Sequence, residues 1–292
     1  AIEFHNACRK AGIKPIIGCE MYMAKESRKR KQSRPGADQY HITLLAETFE
    51  GYQNLMKMVS IGHFEGFSYK PRIDEETLFK YSQGVIVLSG CMSSMTSELL
   101  LSNKLKQAEE KFKKYKQVFG DRLYIELQKH PTIEKQPELN KKLVKMARKL
   151  NIPLVATNDV HYLEADEAEA QDALLAVGTR KLLSDKNRMT MIDHPSFYFK
   201  SPEEMANLFA DYPEAVENTV KIAERCNVKI PTGDLIFPNF ELPEGETDAS
   251  YLRKQALKGL KEKYGEVTPK IEERMDYELG IIHDKGYDTY FL

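Results

Sequence analysis

The 292-residue sequence has no apolar run that approaches the roughly 18 residues of a membrane helix. Its first residues, "AIEFHNACRKAGIKP", scatter charge where a secretory leader would hold an apolar stretch. Cysteine is sparse: Cys8, Cys19, Cys91 and Cys226 form no CxxC pair and show no repeating spacing. A disulfide framework is thereby excluded, and a cytoplasmic setting is expected. Cys8, Cys19 and Cys226 read as small buried hydrophobes. Net charge is nearly absent too, with 43 Lys and Arg against 44 Asp and Glu. That balance excludes a globally basic nucleic-acid binder and a strongly acidic disordered chain. No internal repeat or low-complexity tract is present. Residue 1 enters directly into a helical pattern and the last residues are the apolar "GYDTYFL". Domain ends are usually polar and mobile, so a piece of a longer protein is expected.

What is present is an alternation of short apolar runs and amphipathic stretches. "KPIIGCEMYMA" (14–24), "HITLLAE" (41–47), "GVIVLSG" (84–90), "LYIEL" (123–127) and "PLVAT" (153–157) read as strands. Helical patterns lie between most of them, at about 49–66, 103–120 and 137–150, with Asp74 as a cap for "EETLFKYS". Strand and helix in repetition predict parallel βαβ units, and unbroken runs such as "VIVL" predict strands buried on both faces. An α/β barrel and a doubly wound sheet are the candidate architectures. From Ser201 the character changes. "SPEEM" has Ser201 as cap, Pro202 in the first turn and Glu204 three residues after the cap. Helices are predicted at about 201–210, 213–226, 248–263 and 268–284, with a Pro- and Gly-rich connector at 230–248. The division expected is an α/β domain over 1–200 and a helical segment over 201–292.

The residues that carry chemistry gather at predicted strand edges. In "LVATNDVHYL", Asp159 and His161 are two apart, so in extended backbone both project to one face. A carboxylate and an imidazole there suit a divalent cation, although a surface Asx turn would also produce the pattern. Glu20 is an acid within an apolar strand, His41 opens the next strand, and Cys91 follows "VIVLSG". Together the five offer O, N, S, O and N donors, and a thiolate favours zinc. Each has a plainer reading: a structural carboxylate, an edge histidine, a small residue at a helix start. Glu126 and His130, in and after "LYIEL", are further candidates, Glu126 with a leaning to an inward structural role. The run "KESRKRKQSR" (25–34), followed by Pro35-Gly36, is either a phosphate-contacting loop through Arg28, Lys29, Arg30 and Lys31 or a solvated connection.

Several segments carry a family resemblance. "AGIKPIIGCEMYMA", "YHITLLAETFEGYQNLMKMVS", "GFSYKPRID", "GVIVLSGCM" and "LVATNDVHYL" resemble successive parts of the polymerase-and-histidinol-phosphatase (PHP) domain of bacterial DNA polymerase III alpha subunits. "SPEEMANLFADYPEAVENTVKIAERCNV" is similar to the helical segment that follows it, and "GYDTYFL" to the start of the palm. The resemblance implies a distorted (β/α)7 barrel of the PHP type lacking its first strands, followed by a helical extension. It implies that Glu20, His41, Cys91, Asp159 and His161 are metal ligands, for zinc or for manganese or magnesium. The family's opening H-x-H strand, its following aspartate and an Asp-His pair have no counterpart here, nor do the palm carboxylates.

Two functions compete under that resemblance. One is a metal-dependent phosphoesterase with 3′–5′ exonuclease activity inside a DNA-directed DNA polymerase. The other is a scaffold that braces the polymerase and docks a separate proofreading subunit. A free-standing phosphatase is a third reading, disfavoured by the helical segment and the ending. The implied partners are DNA and the other subunits of the replicative holoenzyme, with no membrane. No general base is assigned from these residues, and the isolated chain is expected to bind duplex DNA weakly.

Overall fold

A computed structural model of the chain describes residues 1–34, 36, 39–233 and 236–292. Pro35, from the turn after the basic run, and residues 234 and 235, inside the predicted connector, lie outside the described residues. Helix α1 (Ile2–Lys10) leads to strand β1 (Gly18–Ala24) and then β2 (Gln39–Ala46). Next come α2 (Phe49–Phe64), the two-residue β3 (Arg72–Ile73), α3 (Glu75–Lys80) and β4 (Val85–Leu88). Helices α4 (Met95–Leu101) and α5 (Leu105–Phe119) precede β5 (Leu123–Leu127), and α6 (Gln136–Leu150) precedes β6 (Leu154–Ala156). Helices α7 (Ala168–Thr179), α8 (Pro202–Leu208) and α9 (Pro213–Arg225) follow.

The strands form one six-stranded sheet in the order β3-β1-β2-β4-β5-β6. The uniformly parallel arrangement expected from the sequence holds only in part. β4, β5 and β6 are parallel neighbours, but β2 runs antiparallel to both β1 and β4. The link from β1 to β2 contains no helix among the described residues. Without a crossover element the chain folds back alongside β1, and an antiparallel pair results.

Burial follows the same division. Every residue of β4, β5 and β6 is buried, as expected for strands covered on both faces. β2 instead alternates strictly, with Tyr40, Ile42, Leu44 and Ala46 buried and His41 and Thr43 half-buried. Helix α5 closes the core with Ala108, Phe112, Tyr115 and Phe119, whose spacing keeps them on one stripe. Burying each large side chain of this kind stabilises the fold by about 1.5–3 kcal/mol. Local signals place the ends. Asp74 caps α3, accepting from the Thr77 N–H, and Asn151 ends α6 at φ 50° in the left-handed region. Ser201 and Glu204 form the reciprocal box at the start of α8.

The compact units divide at Ile230 and Pro231, not at residue 200 as the composition suggested. Helices α8 and α9 belong to the first unit for a physical reason. Ala215, Asn218 and Ile222 of α9 are buried, and the Asn218 amide donates to the Leu154 carbonyl of β6 at 2.8 Å. Arg225 pairs with Glu47 at 2.8 Å beyond β2, and Phe209 is fully buried.

The second unit, residues 231–292, is helical. Its helices are α10 (Asp248–Tyr264), α11 (Pro269–Asp284) and α12 (Asp288–Phe291). Arg253 of α10 pairs with Glu272 and Asp276 of α11 at 3.0 and 2.9 Å. Phe237, Tyr287 and Tyr290 form an aromatic group. No helix among the described residues is long and apolar enough to cross a membrane.

Candidate metal centre

The pairing of β1 with β2 sets Glu20 opposite Thr43 and Tyr22 opposite His41. Glu20 and His41 are therefore diagonal neighbours on the half-open face, close enough for long side chains to meet. The His41 Nδ1 lies 2.5 Å from a Glu20 carboxylate oxygen. Cys91 arrives from the end of β4, with its Sγ 3.7 Å from the same His41 nitrogen. One donor atom from each of Glu20, His41 and Cys91 lies within 4.8 Å of the others.

The turn that delivers Cys91 is built tightly around β2. Gly90 has φ 89°, and a Cβ there would lie 2.5 Å from the His41 carbonyl oxygen. Only glycine meets both conditions without strain. The His41 N–H donates to the Ser93 carbonyl at 3.2 Å, which fixes the turn against the strand. The Ser97 hydroxyl donates to the Cys91 carbonyl at 3.0 Å, and the Ser93 N–H reaches the Cys91 sulfur at 3.4 Å. The flanking Cys91 and Glu20 side chains favour the His41 imidazolium, which they push up to about 10 despite partial burial.

Asp159 and His161 form a second group. Their nearest approach, Asp159 Oδ1 to His161 Nε2, is 3.4 Å. They do not meet as alternate residues of an extended strand, as the spacing suggested. β6 ends at Ala156 and Asp159 sits at φ 54°, so a left-handed turn brings them together. Asp tolerates that conformation better than most residues because its short polar side chain can bond locally. The segment is then tied down by His161 N–H to Phe197 carbonyl at 2.8 Å and Asn158 amide to Tyr198 carbonyl at 2.7 Å. Lys200 donates to Asn158 at 2.9 Å and also to the Ser196 carbonyl.

Charge links the two groups. Burial raises the Asp159 carboxyl, but the His161 hydrogen bond and the charges of His161, His130 and His41 outweigh it, and the net shift is downward. His161 is raised, first by its bond to Asp159, and Glu20 adds to the effect. Among the described residues Glu20, His41 and Cys91 form the tight cluster, and Asp159 and His161 are a separate pair that feels its charge.

His130, a further candidate beside the five residues, lies close enough to Asp159 and His161 to feel their charge. It is buried, stacks on Phe197 with ring centroids 4.1 Å apart, and holds the Ser196 hydroxyl at 3.0 Å through Nδ1. Its Nε2 is buried with no hydrogen-bond partner among the described residues. Burial, with no compensating anion bonded to it, lowers His130 to about 4. Its sequence signal was its place just after the strand "LYIEL". Glu126 takes the structural role favoured for it. It accepts from Gly90 N–H at 3.1 Å, Gln128 amide at 3.1 Å and Thr157 hydroxyl at 2.6 Å. Those bonds join the ends of β4, β5 and β6 beneath the site.

The bonds of Arg28, Arg30 and Lys31 in the basic run go to groups other than these donors. Arg28 is largely buried and engages Asp74 at 3.0 Å, Glu65 at 2.8 Å and Glu76 at 3.2 Å. Arg30 pairs with Glu26, and Lys31 donates to the Phe67 carbonyl at 2.7 Å, while Lys29 is exposed.

Residues 1–130 match the PHP domain family, with which the mixed α/β fold is consistent. Residues 250–292 match the family described as the bacterial DNA polymerase III alpha NTPase domain. The chain is 46% identical to the DNA polymerase III subunit alpha of Borreliella burgdorferi, across 100% of this chain and 26% of that protein. Against the Treponema pallidum subunit identity is 43% over 100% of the chain and 25% of the relative. Against the Thermus aquaticus subunit it is 41% over 90% of the chain and 22% of the relative. The chain is similar to DNA polymerase III alpha subunits along its whole length, and it spans about a quarter of the length of the curated relatives it matches.

Proposed function

We propose that this chain is the PHP portion of a replicative DNA-directed DNA polymerase, and that its rim cluster is a metal-dependent phosphodiesterase site suited to 3′–5′ trimming of DNA. The observation that carries the reading is the convergence of Glu20, His41 and Cys91, from two strands and a turn, to within 4.8 Å. Structural carboxylates seldom need a thiol and an imidazole beside them at a strand rim. The Nε2 of buried His130 adds a donor left unmet among the described residues. This donor set fits a divalent cation, with the sulfur favouring zinc over manganese or magnesium.

In this reading Glu20, His41 and Cys91 hold one cation, and Asp159, His161 and His130 complete the shell or hold a second. Bound there, a divalent cation supplies positive charge against a phosphodiester oxygen and acidifies water for attack on phosphorus. The remaining work falls to the chain. Ser196 and Phe197 fix the ring of His130, one by a hydrogen bond to Nδ1 and the other by stacking. Asp159 orients His161, whose ring also packs edge-on against Phe197 at 5.4 Å. Glu126 keeps the three strand ends in register. The half-open face of β1 and β2, where Glu20 and His41 stand, suits the inner wall of a distorted (β/α)7 barrel better than a flat sheet. A cytoplasmic setting, DNA as substrate, and contact with other replicative subunits, a proofreading one among them, belong to the same proposal.

The alternative is a non-catalytic brace that docks such a subunit, any metal there serving stability alone, and in its simplest form it holds none. One observation favours it: His41 between Glu20 and Cys91 already forms a self-sufficient charged group. Elemental analysis of the purified chain separates the readings. Zinc at one or more equivalents, lost in a Glu20→Gln, Cys91→Ser, Asp159→Asn preparation that still folds, supports the catalytic centre. Metal-free protein after refolding with zinc supports the brace.

A further inference from the structure

The basic run and an aromatic turn beyond α2 are built into one another. Arg72 is buried, and one of its terminal nitrogens donates to the Arg30 carbonyl at 2.6 Å. The Gln32 N–H donates to the Ser68 hydroxyl at 2.8 Å, Lys31 to the Phe67 carbonyl at 2.7 Å, and Arg28 pairs with Glu65 at 2.8 Å. Asp74, also buried, accepts from the Arg28 backbone N–H at 2.9 Å. A merely solvated connection needs none of this; a buried arginine and a buried aspartate are costly unless they are bonded and useful.

What these bonds hold outward is unusual. Phe64 is 90% exposed, Phe67 50% and Tyr69 54%. Tyr69 adopts φ 59°, a conformation that bulky residues avoid, at the tip of a turn closed by Ser68 N–H to Lys70 carbonyl at 3.1 Å. Gly66 makes the turn feasible, because a Cβ there would lie 1.8 Å from the Arg72 carbonyl oxygen. The rings are thus displayed at a cost in backbone strain, Phe64 almost wholly and Phe67 and Tyr69 over about half their surface, with Phe67 also stacked on His63. Beside them, residues 25–34 carry six Lys or Arg and one acid on a chain whose net charge is −1. Arg28 is neutralised by its carboxylates, whereas Lys29 and Lys70 are exposed, and the Arg30–Glu26 pair is a solvent-facing one of little energy.

We infer that this surface is a stacking platform for single-stranded nucleic acid, with bases on Phe64, Phe67 and Tyr69 and phosphates along Lys29, Arg30 and Lys70. Exposed rings interleaved with cations match the way sequence-tolerant single-strand sites work, since every base has a stacking face and every linkage a charge. Duplex DNA hides its base faces and offers nothing to the rings, which sets the preference. The platform stands whether or not the rim cluster binds metal.

The test is fluorescence anisotropy of the whole 292-residue chain with a labelled oligothymidylate of about 15 nucleotides and a matched blunt duplex, at about 50 and 200 mM salt. Single strand should bind over duplex. Changing Phe64, Phe67 and Tyr69 together to Ala should weaken binding about tenfold or more without altering the salt slope. Changing Lys29 and Lys70 to Ala should lower the slope of log affinity on log salt by about 0.7 for each lost contact. Phe64→Ala alone, at a side chain the fold does not use, guards against an unfolded triple variant and should also weaken binding. Equal binding of both nucleic acids, or ring variants that bind as the parent does, would overturn the inference.

Discussion

Strands β1 and β2 and strands β4 to β6 belong to one sheet but are made differently. β2 exposes alternate side chains, and on that open face Glu20 and His41 meet. The parallel strands are buried throughout, and their one acid, Glu126, is fully bonded within the protein. The contrast teaches where chemistry can sit. Parallel strands covered on both faces leave only their ends free, and Cys91, His130 and Asp159 all lie just past such ends. An antiparallel pair with one open face can present polar side chains from mid-strand, as it does Glu20. The cluster forms where the open face runs into the covered strands' rim, with Gly90 as the joint.

The contrast can be broken or sharpened by mutation. Phe112→Ala, which empties the fully buried stripe of α5 against the sheet, should cost about 3–5 kcal/mol in a urea titration. An equal loss from a polar change on the β1–β2 face would abolish the distinction. Asp74→Asn comes next, at about 1–3 kcal/mol, since it removes one charge from a buried pair and weakens the cap of α3. It also predicts a pH effect. Burial raises the Asp74 carboxyl, but hydrogen bonds from Arg28 and Thr77 outweigh it and hold the net shift downward. A depressed carboxyl contributes stability that is present above its unfolded value of about 3.9 and is lost as pH falls through the lower folded value. The parent should therefore lose more stability on acidification than the Asn variant does.

Gly90→Ala should cost about 1–2 kcal/mol through its positive φ and the crowded His41 carbonyl. In the metal reading it should also reduce zinc content more than Phe112→Ala does at matched stability, because it moves Cys91 relative to His41. Glu20→Gln should change stability by less than about 1 kcal/mol, as the side chain is half exposed. Its expected consequence is loss of bound zinc by elemental analysis; unchanged zinc would remove Glu20 from the ligand set.

Much of this was legible in the residues. "VIVL" and "LYIEL" announced covered strands, and Asp74 and Ser201 announced the helix starts they cap. Helices α4 and α7 and the two-residue β3 were not read, since "MTSELLL" is short and "AEAQDALLAVGT" follows no sharp start signal. Four candidate ligands were plain as residue types at strand edges and Glu20 as an acid inside one, but His130 stood out less than its burial warrants.

The sequence by itself determined the covered strands, most helices and the donor types, because periodicity, caps and residue chemistry are local properties. Tertiary structure alone decided that β2 runs antiparallel, that α9 closes onto β6, and that Asp159 turns left-handed. It also decided which donors meet: Glu20, His41 and Cys91 are separated by tens of residues, and their approach depends on strand register and on a glycine turn packed against a neighbouring carbonyl. Register and close packing are set by contacts between distant segments, so no local pattern encodes them.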